Sequence, residues 1–245
     1  MNPQEFKIPG LELIFTQRPI DLRAVTLGEK VRQQIEESLP YFSKKPRQIF
    51  TCNQVHSDII FTVKELDQGQ DFYYGRIFRD GDGLVTNLEN VALVTKVADC
   101  VPILLYDPKN KAQATLHSGW RGTLAQISKK ALNIMEEEYN SRSEDIFVYI
   151  GPCISWDSFE VMEDVSSKWF ETFSFAKDVV KDKDADHQLI DLKESNRRIL
   201  LEAGIKEKNI IVSKESTYEN LNLHSFRRDQ PDYGVNAMIS MLVSE

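Results

Sequence analysis

The sequence predicts an α/β (α+β) fold in which a mixed β-sheet packs against helices. Strand–turn–strand segments in the middle of the chain favour antiparallel neighbours, whereas a strand–helix–strand segment beside them favours mixed strand directions. No internal repeat and no low-complexity linker divides the 245 residues. We therefore expect a single domain over residues 1–245.

The first half of the chain carries the strand signals. Residues 59–66 combine β-branched and aromatic side chains, which is typical of a strand. Residues 68–83 are rich in Gly and Asp and are predicted to form a loop or a hairpin. Residues 107–110, Asp-Pro-Lys-Asn, are predicted to form a turn. Three apolar runs around that turn are predicted to be neighbouring strands: 91–97, 101–106 and 112–116.

The second half of the chain predicts two clear helices. Apolar residues recur at intervals of three and four over residues 124–139, which indicates one helix. A second helix is predicted to begin at Asp191, because Glu194 completes a capping box, and to end at Gly204. The other segments are predicted strands at 146–150 and 210–213, an apolar tail at 235–243 that packs on the domain, and a charged solvated loop at 177–187.

Composition limits the classes of function. There are 30 Lys plus Arg and 38 Asp plus Glu, a formal net charge of −8, which argues against an unspecific nucleic-acid binder. No apolar run is long enough to span a membrane and the N-terminus lacks a signal-peptide pattern, so a cytoplasmic protein without membrane partners is expected. Three widely spaced cysteines fit neither a disulfide framework nor a short-spaced zinc ribbon.

Two histidines and one cysteine stand beside predicted strand ends, where α/β proteins commonly place their sites. These are His56, Cys100 and His117. Two imidazoles and a thiolate are suitable zinc ligands and would leave a fourth position open, but their spacing matches no local zinc motif. A Cys100 nucleophile activated by His117 is a second hypothesis. A third is purely structural, with Cys100 packed as a small apolar residue and the histidines hydrogen-bonded to carbonyls.

Six ordered motifs add a family resemblance. They are Asn-Gln-Val-His at 53–56, Gly-Asp-Gly-Leu-Val-Thr at 81–86, Ala-Asp-Cys-Val-Pro-Ile-Leu-Leu at 98–105, Leu-His-Ser-Gly-Trp-Arg-Gly-Thr at 116–123, Ile-Gly-Pro-Cys-Ile at 150–154 and Ser-Phe-Arg-Arg-Asp at 225–229. Together they closely resemble the YfiH-like or laccase-domain family, also labelled polyphenol oxidases and regarded as purine nucleoside phosphorylases. The resemblance runs from about residue 10 to the C-terminus.

This resemblance implies a YfiH/CNF1-like, cysteine-hydrolase-type fold and one Zn²⁺ per chain held by His56, Cys100 and His117. It also implies phosphorolysis of adenosine, inosine, guanosine and methylthioadenosine, together with hydrolytic deamination of adenosine. The implied partners are therefore purine nucleosides and phosphate. The older polyphenol-oxidase label fits poorly, because multicopper sites need far more than four histidines.

These activities assign roles to further residues. Hydrolytic deamination needs a zinc-activated water and an acid that transfers protons, and Asp99 is the candidate for this acid. Alternatively, Asp99 caps a turn or orients a zinc ligand. Phosphorolysis needs an anion site, for which we favour three arginines that could otherwise form surface ion pairs: Arg47, Arg121 and Arg228. Base or ribose contacts are expected from Asn53, Gln54 and Asp82, for which turn formation is the alternative.

Two competing functions remain open from the sequence. One is a metal-free cysteine hydrolase or amidase that uses Cys100 and His117. The other is a non-enzymatic binding module. The metal content and the turnover of nucleosides distinguish these from a zinc-dependent phosphorylase.

Overall fold

The structure is a computed structural model that describes residues 8–243. The strands are β1 (Leu11–Phe15), β2 (Gln48–Cys52), β3 (Ile60–Val63), β4 (Gln70–Phe72), β5 (Gly75–Phe78), β6 (Gly83–Thr86), β7 (Val91–Val97), β8 (Val101–Asp107), β9 (Ala112–Ser118), β10 (Phe147–Ile150), β11 (Glu160–Met162), β12 (Val180–Asp182), β13 (His187–Ile190), β14 (Ile210–Val212) and β15 (Asn236–Leu242). The helices are α1 (Ala24–Leu27), α2 (Val31–Glu36), α3 (Trp120–Leu124), α4 (Ile127–Tyr139), α5 (Glu163–Thr172), α6 (Ala176–Val179), α7 (Leu192–Glu202) and α8 (Phe226–Asp229).

The strands form two large mixed sheets and one small sheet, so the predicted mixed α/β fold is confirmed, with more than one sheet. The first sheet has the order β1-β15-β7-β2-β5-β4, and β2 runs parallel to both β7 and β5. The second has the order β14-β10-β8-β9-β6-β3, in which β8 and β9 form the antiparallel hairpin that the turn sequence predicts. The third is the antiparallel sheet β11-β13-β12.

The two large sheets pack face to face, and helices cover the outer face of each. On β8, Ile103 and Leu105 pack in a cluster with α4, α5 and α7, whereas Leu104 packs against residues of the first sheet. On β7, Ala92 and Val94 pack with α2, whereas the alternate residues face the second sheet. Because neighbouring side chains of a strand point to opposite faces, each sheet has a helix-facing and a sheet-facing side. The layers are therefore helices, first sheet, second sheet and helices.

The two predicted helices are present with one interruption. Asp191 caps α7 by accepting a hydrogen bond from the Glu194 backbone N–H at 2.9 Å, and Gly204 follows the helix with φ +91°. Of the helix predicted over 124–139, residues 127–139 form α4, whereas Leu124 ends the separate short helix α3, because Gln126 between the two has a left-handed backbone with φ +54°. The charged run at 177–187 lies partly in α6 and β12 rather than in a loop alone. Within residues 8–243 no helix is long and apolar enough to cross a membrane.

Candidate metal centre and cavity

Three chain segments converge where the two large sheets meet. The loop after β2 carries His56, the connection from β7 to β8 carries Cys100, and the end of β9 carries His117. One ligand atom from each residue lies within 4.8 Å of the other two. The two imidazole rings are 4.8 Å apart between centroids and nearly perpendicular, at 73°. The structure thus brings together the three donors that the sequence predicts for a metal.

The backbone at Asp99 makes this convergence possible. β7 belongs to the first sheet and β8 to the second, so residues 98–100 carry the chain from one sheet to the other. Asp99 has φ +85°, a left-handed conformation that few residues other than glycine adopt. His56 also has a positive φ, at 62°. The strand therefore breaks at the predicted position, and Cys100 is free to face the histidines.

Asp82 lies behind the cluster and fixes its geometry. The Nδ1–H of His117 donates to Oδ1 of Asp82 at 2.7 Å, which leaves Nε2 of His117 as the ring nitrogen that could bind a metal. The same carboxylate accepts hydrogen bonds from the backbone N–H groups of Val55, His56 and Ser57. Burial tends to raise the pKa of Asp82, but hydrogen bonds from His117 and Ser57 lower it below its ordinary value. Asp82 is thus an ionised carboxylate that orients two donors.

The charges of the cluster suit a thiolate ligand. Burial tends to raise the pKa of Cys100, but the charge and hydrogen bonding of His117, followed by those of His56, lower it overall. Burial tends to lower the pKa of His117, while Cys100 and Asp82 raise it overall. A thiolate and imidazole nitrogens are a preferred donor set of Zn²⁺.

Gly119 leaves room at the cluster. A Cβ atom placed on Gly119 would lie 2.9 Å from Sγ of Cys100, closer than real Cβ atoms pack, and 3.0 Å from Cδ2 of His56, closer than nine in ten of them. Its own φ of −71° does not require glycine, so space rather than backbone strain explains the residue. The donor set, the oriented imidazole and this clearance together fit a metal ion.

The cluster opens into a cavity of about 730 Å³. Several of the predicted site residues line it: Asn53, Gln54, His56, Asp99, Cys100, His117 and Arg121. Aromatic side chains form much of the remaining wall: Phe72, Tyr73, Trp120, Phe159, Phe226 and Tyr233. A concave apolar pocket with a few convergent polar groups is the usual form of a small-molecule site.

Two of the polar lining residues are already engaged with the protein. The amide of Gln54 pairs with the backbone of Lys96, donating to its carbonyl at 2.7 Å and accepting from its N–H at 2.9 Å. Asn53 is exposed and donates to Asp80 Oδ1 at 3.2 Å. Gln54 therefore fixes β7 beside the cavity, while Asn53 remains accessible at its edge.

The structure does not bring three other predicted residues to the cavity wall. Arg47 precedes β2, whose far end leads to the site, so about 20 Å of extended chain separates it from Asn53. The guanidinium of Arg228 binds Asp229 and donates to the carbonyls of Thr217 and Tyr218, which clamps the neighbouring turn. Asp82 is occupied by His117 and the 55–57 loop.

Asp99 lines the cavity, but both oxygens of its carboxylate already accept hydrogen bonds from the protein. Oδ1 accepts from Thr217 Oγ1 at 2.6 Å, and Oδ2 accepts from Ser225 Oγ at 3.0 Å and the Arg227 backbone N–H at 2.6 Å. Asp99 is 8% exposed. These contacts favour an orienting role for Asp99 over that of a free proton shuttle.

Three further basic residues line the cavity: Arg23, Lys96 and Arg227. A sequence signal exists for Lys96, because it is the one charge in the apolar run Val91–Val97. Arg227 lies in the Ser-Phe-Arg-Arg-Asp motif, but the sequence alone did not favour it over Arg228. Arg23 has no comparable signal, since it precedes a short helix remote in sequence from every motif.

Known proteins resemble this chain along most of its length. The family model described as multi-copper polyphenol oxidoreductase laccase matches residues 27–243. A protein named purine nucleoside phosphorylase from Bacteroides thetaiotaomicron is 32% identical over 198 residues, which are 78% of this chain and 72% of that protein. A protein named adenosine deaminase RL5, from an unknown prokaryotic organism, is 32% identical over 185 residues, 75% of this chain and 68% of that protein.

The fold has a solved counterpart. The crystal structure of Bacillus licheniformis hypothetical protein YfiH is similar with a TM-score of 0.88 at 25% identity, and the match covers 95% of this chain and 92% of that chain. In several further relatives named purine nucleoside phosphorylase, the matched segment spans 57% to 66% of the relative's length. The chain belongs to the multi-copper polyphenol oxidoreductase laccase family, whose fold it shares with YfiH.

Proposed function

We propose that this protein is a zinc-dependent purine nucleoside phosphorylase that also deaminates adenosine. One observation carries the proposal: a single cavity joins a His–Cys–His cluster to a basic wall. The names of the relatives, purine nucleoside phosphorylase and adenosine deaminase, support the same two reactions.

The charge of the cavity suits an anionic co-substrate. Four basic side chains line it, namely Arg23, Lys96, Arg121 and Arg227, and Asp99 is the one acid among the described residues of its wall. The negative charge of Asp99 is already shared by three hydrogen-bond donors. The formal net charge of the chain is −8, so this wall is a local concentration of positive charge. Such a wall attracts and holds an anion such as phosphate.

His56, Cys100 and His117 would hold the metal, and Asp82 would keep His117 in the tautomer that binds it. When bound, Zn²⁺ supplies Lewis acidity and a water of lowered pKa. Two imidazoles and a thiolate are zinc ligands that also occur in single-copper sites, but the multicopper centre named in the family description needs more histidines than the four of this chain.

The remaining residues bind and orient substrates. In phosphorolysis, the bond between ribose C1′ and the purine nitrogen breaks, a phosphate oxygen bonds to C1′, and the purine leaves with a proton. Arg121, exposed beside the cluster and stacked 4.1 Å over Trp120, is positioned to bind phosphate. Phe226 and Trp120 offer apolar faces to the base, and Asn53 offers a polar edge. In deamination, water replaces the amino group of adenosine and ammonia leaves.

A panel of purine nucleosides, each incubated with and without inorganic phosphate and analysed by chromatography, tests the proposal. We expect phosphate-dependent release of the free base, phosphate-independent conversion of adenosine to inosine, and about one zinc per chain by metal analysis. His117→Ala should abolish both reactions while the protein remains folded. If zinc-loaded protein releases no base from any purine nucleoside in phosphate, the proposal is wrong.

A specific observation favours one second candidate, a cysteine hydrolase or amidase. His117 and His56 lower the pKa of Cys100, as a thiolate nucleophile requires. Metal analysis combined with iodoacetamide labelling separates the candidates. Zinc-containing protein whose Cys100 is labelled only after chelation supports the phosphorylase, whereas metal-free protein labelled rapidly at Cys100 supports the hydrolase.

A further inference from the structure

Lys96 is a charged residue at the end of an otherwise apolar face of β7. In β7 it follows Ala92 and Val94 on the same face of the strand, and both of those residues are buried in the cluster against α2. Continuing the alternation would place another apolar side chain at position 96. A lysine stands there instead and lines the cavity.

The ammonium group of Lys96 is fixed before any ligand binds. Nζ donates to Thr51 Oγ1 at 3.0 Å and to the Cys52 carbonyl at 2.9 Å. The backbone on either side of the side chain is held by the two-point pairing with Gln54. An ammonium has three protons, so one N–H remains for a ligand. The two neutral acceptors and the hydrogen-bonded backbone therefore give the Lys96 side chain a defined position.

The positive charge has no carboxylate partner. No acidic side chain within residues 8–243 forms an ion pair with Nζ, and the centroid of the Phe72 ring lies 6.0 Å from Nζ. A charge removed from water without a counter-ion is costly. In agreement, burial lowers the pKa of Lys96 to about 8, although the charges of Cys52 and Asp82 oppose this effect. An anion in the cavity would remove that cost.

The other basic residues of the wall are partly committed to the protein. Arg23 donates to the backbone carbonyl of Tyr233 at 2.8 Å and stacks on the Tyr233 ring. Arg227 donates to the backbone carbonyl of Glu160 at 2.9 Å. Arg121 is exposed and stacks on Trp120. Lys96 therefore combines a fixed position, an available proton and a charge that no carboxylate contacts.

We propose that Lys96 is a binding residue for inorganic phosphate, the anionic co-substrate. The nucleosides are uncharged and could not neutralise the ammonium, whereas a phosphate oxygen both accepts the free N–H and balances the charge. This inference rests on the proposed function, because that function requires a phosphate in the same cavity. It assigns the anion to a residue of β7 outside the motifs of the sequence analysis.

Direct binding of inorganic phosphate tests the assignment without a nucleoside. Lys96→Met keeps the length of the side chain and removes the charge, and Lys96→Arg keeps the charge. The matched control is Lys181→Met, because Lys181 also lies over an aromatic ring, Trp156 at 4.4 Å, but outside the cavity. We expect calorimetric titration of the zinc-containing protein to show about 10- to 100-fold weaker phosphate binding for Lys96→Met, with Lys96→Arg closer to wild type and Lys181→Met unchanged.

Kinetics provide the second measurement. Lys96→Met should raise KM for phosphate by a similar factor while KM for the nucleoside and the rate of phosphate-independent deamination stay within about twofold. A rise in KM for the nucleoside alone would assign Lys96 to the nucleoside and overturn the inference. Unchanged phosphate affinity in Lys96→Met would overturn it as well.

The two proposals fail in different ways. If the protein binds phosphate through Lys96 but releases no base, the proposed function is wrong and the assignment of Lys96 stands. If base release depends on phosphate and Lys96→Met has the wild-type KM for phosphate, the function stands and the assignment of Lys96 is wrong.

Discussion

The backbone N–H of Arg227 donates to the carboxylate of Asp99 at 2.6 Å, which ties the residue before Cys100 to the C-terminal motif. Asp99 precedes Cys100, and Phe226 and Arg227 both line the cavity. The same carboxylate holds Thr217 and Ser225. One buried side chain therefore connects the His–Cys–His cluster with the part of the cavity wall that the C-terminal motif forms.

This connection predicts that Asp99→Asn damages both reactions to the same extent. In Asp99→Asn an amide N–H would face the Arg227 N–H, so two donors would meet where a donor and an acceptor meet now. The loss of a hydrogen bond to a buried carboxylate costs about 2–4 kcal/mol of unfolding free energy. Thr217→Val removes one donor and keeps the carboxylate, so it should reproduce part of the loss. Rates of phosphorolysis and deamination, with urea denaturation, check this. A loss confined to deamination in Asp99→Asn, with Thr217→Val at wild-type rates, would favour proton transfer by Asp99 instead.

The clearance at Gly119 predicts a steric effect on metal binding. In Gly119→Ala the new methyl group would press on Sγ of Cys100 and on the His56 ring, so zinc affinity should fall at least about tenfold. Gly122→Ala is the matched control, because its Cβ would lie no nearer than 3.4 Å to any neighbour. Competition with a chromophoric chelator measures both affinities. Equal zinc affinities in the two variants would contradict the steric explanation.

Local signals predicted the parts of the fold that depend on neighbouring residues. The β8–β9 turn and the cap at Asp191 are encoded within a few positions, and both are observed. The division into two sheets depends instead on long-range parallel pairing of β2 with β5 and β7 and on a three-residue crossing at 98–100. Spacing carries no information about such pairing, so one mixed sheet was the simplest prediction.

The same distinction applies to the site. His56, Cys100 and His117 were recognisable because motifs mark them, although only the fold shows that they converge. Arg47 precedes the first motif closely in sequence, but an extended strand turns a short separation along the chain into a long distance. Lys96 shows the reverse: a lone charge in an apolar strand is a visible signal, but its meaning depends on the cavity beside it.

The contact between Asp82 and His117 predicts a metal-affinity effect at a residue that is not a ligand. Asp82→Asn removes the charge that orients the imidazole, so zinc affinity should fall about 10- to 100-fold. Asp58→Asn is the control, since Asp58 lies near the same loop but forms an ion pair with Lys130 at the surface. Chelator competition and zinc content after dialysis measure the effect. Full zinc retention by Asp82→Asn would show that the hydrogen bond does not tune the metal site.

His224 predicts a pH-dependent loss of stability. Its Nε2–H donates to the Ile20 carbonyl at 3.0 Å, whereas Nδ1 is buried without a partner among residues 8–243. Burial lowers the pKa of His224 below its ordinary value of 6.5, so the unfolded chain takes up a proton before the folded protein does. The contribution of neutral His224 to the free energy of unfolding is therefore fully present above pH 6.5. It declines as the pH falls from 6.5 toward the pKa of His224 in the folded protein.

His224→Gln keeps a donor for Ile20 and removes the titration, so relative to the wild type it should lose less unfolding free energy as the pH falls from about 7.5 to about 5.5. His187→Gln is the control of opposite sign. A hydrogen bond from His187 to Asp184 raises the His187 pKa, so that residue contributes stability below its unfolded pKa, and this contribution disappears as the pH rises through its folded pKa. Urea denaturation at several pH values measures all three proteins. Parallel pH curves for the wild type and His224→Gln would show that His224 takes up its proton equally well in the folded protein.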